Sequence, residues 1–190
     1  MEELRPGLWY WKAVHPEWTP KDGGPTGWEQ EVSSYAYDAG STLVLFDPQS
    51  PPQLVDELAS GKQVAVALTC EWHGRSAEGL KERLGASVWS PGSEGELPEG
   101  VEAFTGGEDE EVAFWVPEHG AVVIGDALLV RERLEVPVTW VPKGMTLSEF
   151  EQRLTPLLEL PVELVLVTHG DPVRQDGAEE LRRALVQSSS

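Results

Sequence analysis

The sequence predicts an α+β protein in which short buried strands are interspersed with a few amphipathic helices. Three observations lead there. Residues 42–46 and 64–68 are continuously apolar over strand length, as in strands covered on both faces. Strand-like segments fill the first third, after which strands and helical segments mix, twice over. Finally, several strands end on polar residues: Asp47, the 70–73 segment, Asp126 and His169.

Each element follows from local chemistry. Residues 7–14 and 32–37 carry aromatic and β-branched residues with partial two-residue alternation, and the Gly- and Pro-rich stretch 16–27 between them reads as a loop. After Asp47 and Pro48 a first helix is expected, with Ser50 as cap, Pro51 at its first position and Gln53 completing a Ser-x-x-Gln box. Leu54, Val55 and Leu58 give it one buried stripe, and Gly61 ends it. A short helix over 76–84, stopped by Gly85, leads to a short strand over 87–89. Residues 91–111, dominated by Gly, Pro and Glu, read as loop. Strands over 112–116 and 121–124 form a hairpin around Glu118-His119-Gly120, expected to end at Gly125-Asp126. Thr146 and Glu149 have capping-box spacing and open a helix with Leu147, Phe150, Leu154 and Leu157 inward, which Pro156 should shorten. A strand over 162–167 delivers Thr168-His169-Gly170-Asp171. The last helix spans about 176–186 with Leu181, Ala184 and Leu185 buried, and the serine tail after it is expected to fray.

Bulk properties narrow the function. The 190 residues suit one domain over 1–190, and 40% hydrophobic residues supply a core despite a net charge of -19. That charge argues against nucleic acid and anionic membrane as partners, since phosphate binding needs clustered Lys and Arg. One cysteine, Cys70, excludes an intrachain disulfide and fits a reducing compartment. The N-terminus lacks a basic start followed by an apolar run, and no stretch approaches the roughly 18–20 apolar residues of a membrane helix. A cytoplasmic protein is expected.

Asp47, His73, Asp126 and His169 stand at strand ends, where α/β and sandwich folds commonly build sites. Two imidazoles and a carboxylate are a ligand set for zinc, manganese or iron. The plainer alternative is that they hold turns. Cys70 reads as a small buried residue, with a nucleophile beside His73 as the alternative. Arg75 either holds an anionic group or pairs with Glu71 or Glu78, the ion pair being favoured. Trp9 and Trp11 share a strand face and read as sheet packing before a stacking platform. The acidic run 108–111 reads as a solvated loop.

The order of several short motifs resembles the metallo-β-lactamase superfamily. Leu43-Val44-Leu45-Phe46-Asp47-Pro48 resembles its strand-plus-Asp opening, and Val66-Ala67-Leu68-Thr69 the strand leading into its His-x-His-x-Asp-His motif. Thr105-Gly106-Gly107-Glu108 sits where the family has a Pro-Gly-His turn. Residues 122–128, ending in Gly125-Asp126-Ala127-Leu128, resemble its Gly-Asp-x-Leu strand, and Thr168-His169-Gly170-Asp171 its last histidine motif. The resemblance spans about residues 30–175. It implies a four-layer αββα sandwich with the site at one edge of the two sheets. It also implies metal roles for Asp126 as a bridging ligand and His169 as a second-site ligand, and for His73 if the motif is shifted by one residue.

The central motif departs from the family. With Thr69 aligned, Cys70 and Trp72 stand where the family has its first two histidines, and Gly74 and Arg75 where it has Asp and His. Two neighbouring cations repel strongly and need several anionic or imidazole ligands, and Arg75 adds to the repulsion. The expected protein therefore has hydrolase ancestry and an eroded centre, holding no metal or one divalent ion, zinc first. The ligands would be His73, Asp126 and His169, with Glu108 or Cys70 as further candidates. Any surviving activity would be hydrolysis of an ester, amide or phosphoester, with Glu71 or Glu108 as base and Trp72 and Arg75 facing the substrate. The alternative is a non-catalytic domain that binds a small molecule or a protein, or that serves as a structural unit; a homo-oligomer is left open.

Overall fold

The computed structural model describes residues 1–186, so the expected fraying of the serine tail lies outside the described residues. Two sheets form the centre. The first contains β1 (Glu2–Arg5), β2 (Leu8–Val14), β3 (Glu31–Asp38), β4 (Thr42–Phe46), β5 (Gln63–Ala67) and β6 (Ser87–Trp89), in sequence order. Its β1–β4 part is antiparallel, whereas β4, β5 and β6 run parallel. Parallel neighbours need crossovers, and α1 (Leu54–Leu58) and α2 (Ala77–Leu84) lie in those connections.

The second sheet runs β10 (Leu134–Glu135), β9 (Ala121–Val130), β8 (Val112–Val116), β7 (Glu102–Thr105), and β11 (Leu164–His169) pairs parallel with β9. Helices α3 (Leu147–Leu154) and α4 (Gly177–Val186) complete the chain.

Two-residue alternation sorts the apolar side chains into three layers. From β4, Val44 and Phe46 face the space between the sheets, while Leu43 and Leu45 face outward onto a layer with Val55 and Leu80 from α1 and α2. From β8, β9 and β11, Phe114, Val116, Val123, Leu164 and Leu166 face inward. Trp115, Val122, Ile124, Val165 and Val167 face Phe150 and Leu154 of α3 and Leu181 of α4. Three apolar layers between four structural ones make an αββα sandwich. No helix among the described residues is long and apolar enough to cross a membrane.

Several local expectations are corrected. The Ser50–Gln53 capping box does not form: α1 has no side-chain cap, and the Ser50 N–H instead donates to Ser76 Oγ at 2.9 Å. Ser50 and Asp47 both have positive φ, because the chain turns sharply after β4 to bring Asp47 inward. The hairpin strand does not end at Gly125-Asp126; β9 continues to Val130. Gly125 permits this, since a Cβ there would lie 2.5 Å from Thr69 Oγ1 and 2.8 Å from Cys70 Sγ. β7 lies inside the segment read as loop, and β1 and β10 are short edge strands with weak patterns. The Thr146–Glu149 capping box is present, and α3 stops at Leu154 before a 3-10 turn over Thr155–Glu159 that contains Pro156.

Leu154→Ala should lower the unfolding free energy by about 2–5 kcal/mol by opening a void in the outer layer. Thr146→Ala should cost about 1 kcal/mol through the lost cap. Urea denaturation followed by circular dichroism measures both.

Candidate functional site

Side chains from four chain segments converge where the two sheets meet. Asp47 follows β4, His73 follows the turn after β5, Asp126 lies within β9 and His169 closes β11. Asp126 Oδ1 is 3.3 Å from His73 Nε2 and 3.1 Å from His169 Nε2. The Trp72 indole N–H donates to Asp126 Oδ2 at 2.9 Å. The other ring nitrogen of His73, Nδ1, is 3.0 Å from Asp47 Oδ2. Asp47 in turn accepts the Thr69 backbone N–H at 2.9 Å and the Thr168 hydroxyl at 3.1 Å. His73 is thus clasped between two carboxylates.

Electrostatics follows from this clasp. Burial opposes charge on all three groups, but the attraction within the set outweighs it. His73 is held well above the ordinary histidine range by Asp47 and Asp126 despite burial. Despite its burial, Asp126 is held well below the carboxylate range by His73 and His169, and Asp47 is lowered by His73. His169 is pushed down by burial, and its Nδ1 is buried without a partner. Burial pushes the Cys70 thiol up to about 12, so it is a thiol and not a ready nucleophile.

One carboxylate of the 108–111 run is not solvated. Glu111 is buried, and its two oxygens accept the Ala127 N–H at 2.8 Å and the Gly107 N–H at 2.9 Å. It therefore ties the Gly106-Gly107 loop to β9 immediately beside Asp126. Burial, with Asp126 close by, raises its carboxyl to about 8. The sequence shows only four acids in a row, so nothing in it separates Glu111 from its neighbours.

Arg75 makes no ion pair with Glu71 or Glu78 among the described residues. Its Nη1 donates to the Asp47 carbonyl at 2.9 Å and the Ser33 carbonyl at 3.4 Å, and its φ is positive. Glu71 is exposed and lines a recess of about 370 Å³ beside Trp72 and Arg75. Glu108 is half-buried and lines neither that recess nor the cavity over the cluster; burial raises its carboxyl, with Glu110 and Asp126 adding. Trp11 is buried and donates its indole N–H to the Gln49 carbonyl at 2.8 Å, and Trp9 packs in the same layer, so both serve the sheet face.

A cavity of about 380 Å³ opens over the cluster, lined by Trp72, His73, Arg75, Asp126 and His169 together with His15, Glu17, Trp28 and Trp140. Those last four were not singled out from the sequence. They sit in loops, where no periodicity marks a residue as facing a site.

By sequence, no family model and no curated protein matches the chain. By fold the matches are extensive. VMB-1 superposes with a TM-score of 0.67 at 13% identity, covering 100% of this chain and 97% of its own. A metallo-beta-lactamase superfamily protein from Sulfolobus tokodaii gives a TM-score of 0.67 at 16% identity, covering 97% and 86% respectively. The chain has the metallo-β-lactamase fold. TTHA1623, solved in a di-iron-bound form, matches with a TM-score of 0.59 at 22% identity over 86% of this chain and 96% of its own.

Within a metallo-β-lactamase fold the donor set decides what the site takes. One ligand atom each from Cys70, His73 and Asp126 lies within 4.8 Å of the others. Sulfur, imidazole nitrogen and carboxylate oxygen together suit a zinc-type ion, and the Asp47 bond to His73 Nδ1 orients the ring as outer-shell carboxylates do. These residues fit one divalent ion.

Above about pH 8, where Glu111 is a carboxylate, Glu111→Gln should destabilise the protein by about 1–3 kcal/mol, since an amide N–H would face one of the two backbone donors, and the loss should shrink below that pH as the wild-type carboxyl takes up its proton. Urea denaturation at pH 9 and pH 6.5 reads this directly.

Proposed function

We propose that this metallo-β-lactamase-fold protein is of hydrolase ancestry and takes a single divalent ion, zinc first, with an altered activity on an ester, amide or phosphoester. The observation that carries the reading is the compact Cys70–His73–Asp126 group, a three-donor set of the kind that leaves a position open for substrate. When bound, such an ion supplies Lewis-acid polarisation of an acyl or phosphoryl group. His169, bonded to Asp126 through Nε2, stands beside this set as an alternative donor to Cys70.

The chain's own residues do the rest. Asp47 orients His73. Trp72 positions the Asp126 carboxylate and offers its ring to the substrate, and Arg75 faces the same space. Of the two acids, the exposed Glu71 lines the recess beside Trp72 and Arg75 and is the one placed for proton transfer, whereas Glu108 lines neither space.

One observation favours a second reading, a non-catalytic small-molecule pocket. Both Asp126 oxygens are already bonded, by His73, His169 and Trp72, so this carboxylate is satisfied without an ion. Metal content separates the two. Protein purified without chelator and supplemented with zinc should hold about one equivalent, and His73→Ala should release it. Less than about a tenth of an equivalent would end the hydrolase reading and leave the binding pocket. Chelator-sensitive turnover of p-nitrophenyl acetate or p-nitrophenyl phosphate would then name the bond class.

A further inference from the structure

We propose that the cavity over His169 is an indole-walled clamp for a flat aromatic ring bearing an anionic head, an aromatic carboxylate being the simplest member. The proposal names the ligand class of the site described above, and rests on that reading for its place at the metal-type centre.

Three indoles line the cavity: Trp28, Trp72 and Trp140. Trp28 and Trp140 flank the His169 ring edge-on, with centroids 5.0 and 5.3 Å away. The polar ends of two of the rings are already spent. Trp72 Nε1 donates to Asp126, and Trp140 Nε1 donates to the Thr26 carbonyl at 3.1 Å. What those rings offer a ligand is therefore π surface, which selects flat, polarisable groups.

The walls come from different sheets and are clasped together. Trp28 lies in the loop between β2 and β3, and Trp140 in the segment after β10. Besides the Trp140 bond, Thr139 Oγ1 donates to the Thr26 carbonyl at 3.3 Å and Arg131 Nη2 to the Gly27 carbonyl at 2.8 Å. The Trp18 indole N–H holds the Trp28 carbonyl at 3.1 Å. A clamp built this way is ordered before the ligand arrives, which cuts the entropy lost on binding.

The anionic head follows from Arg75. It lines the same cavity, its Nε is buried without a hydrogen-bond partner, and no carboxylate lies within 4.0 Å of it among the described residues. Its direct hydrogen-bond acceptors are all carbonyls, with Asp47 and Asp126 acting on its charge only from beyond ion-pair distance, and a carboxylate matches its fork. A cationic ligand is served less well. Of the two lining carboxylates, Asp126 is already bonded on both oxygens, and Glu17 is exposed.

The experiment titrates chelator-treated and zinc-supplemented protein with four probes by calorimetry. These are naphthalene-2-carboxylate, naphthalene-2-methanol, cyclohexanecarboxylate and tetramethylammonium. Naphthalene-2-carboxylate should bind at least tenfold tighter than each of the others, and Trp28→Leu and Trp140→Leu should each weaken it at least tenfold. Equal affinity for cyclohexanecarboxylate removes the ring, equal affinity for naphthalene-2-methanol removes the anionic head, and tighter tetramethylammonium reverses the charge. Any of these overturns the proposal, as does unchanged binding in both Trp variants. If Trp28→Leu does not fold, Trp140→Leu decides, since that residue sits on a surface 3-10 turn. Ring selectivity without zinc uptake overturns only the metal reading, and zinc uptake without ring selectivity overturns only the clamp.

Discussion

The arrangement of two carboxylates around one imidazole governs this molecule. Asp47 and Asp126 approach His73 from opposite ring nitrogens, and the three groups come from three different segments of the chain. A buried charge of one sign alone would be costly, and so would either acid without the imidazole. Because the set is stable only when complete, it demands that both sheets meet at one relative position. Breaking any member leaves an uncompensated partner in the interior.

The surrounding backbone is shaped to permit that meeting. Asp47 and Arg75 adopt left-handed backbone conformations that non-glycine residues rarely take, and both lie at the site. Gly125 has no room for a side chain, because β9 must pass against Thr69 and Cys70 to present Asp126. Glu111, held by two backbone N–H groups, fixes the facing loop against the same strand. These positions share one physical function: they let an edge of each sheet come close enough for carboxylate and imidazole to bond directly.

Within the cluster, the positive charge facing Asp47 and Asp126 comes from the His73 imidazole and the Arg75 guanidinium. Two carboxylates, one held proton on His73 and Arg75 balance without any ion, whereas a zinc-type ion would displace that proton to use the same nitrogen. The binding of metal and the protonation of His73 are therefore coupled. The aromatic walls above stand apart from this balance, since their order comes from hydrogen bonds between loops and not from the charges below.

The sequence alone determined the layers. The continuous apolar runs 42–46, 64–68, 112–116 and 121–124 admit few other architectures, because a strand's two faces must each find apolar cover. Asp47, His73, Asp126 and His169 were legible for the same reason: polar residues in or close after buried apolar runs stand out against the pattern, although Asp126 proved to lie inside β9. Other features had no such contrast. Glu111 looks like its acidic neighbours, Arg75 has two local acids within reach but turns to backbone carbonyls instead, and Trp28 and Trp140 lie in loops without periodicity. Only the tertiary structure decided those, because burial and direction in a loop are set by contacts with distant segments, which leave no periodic trace in the chain.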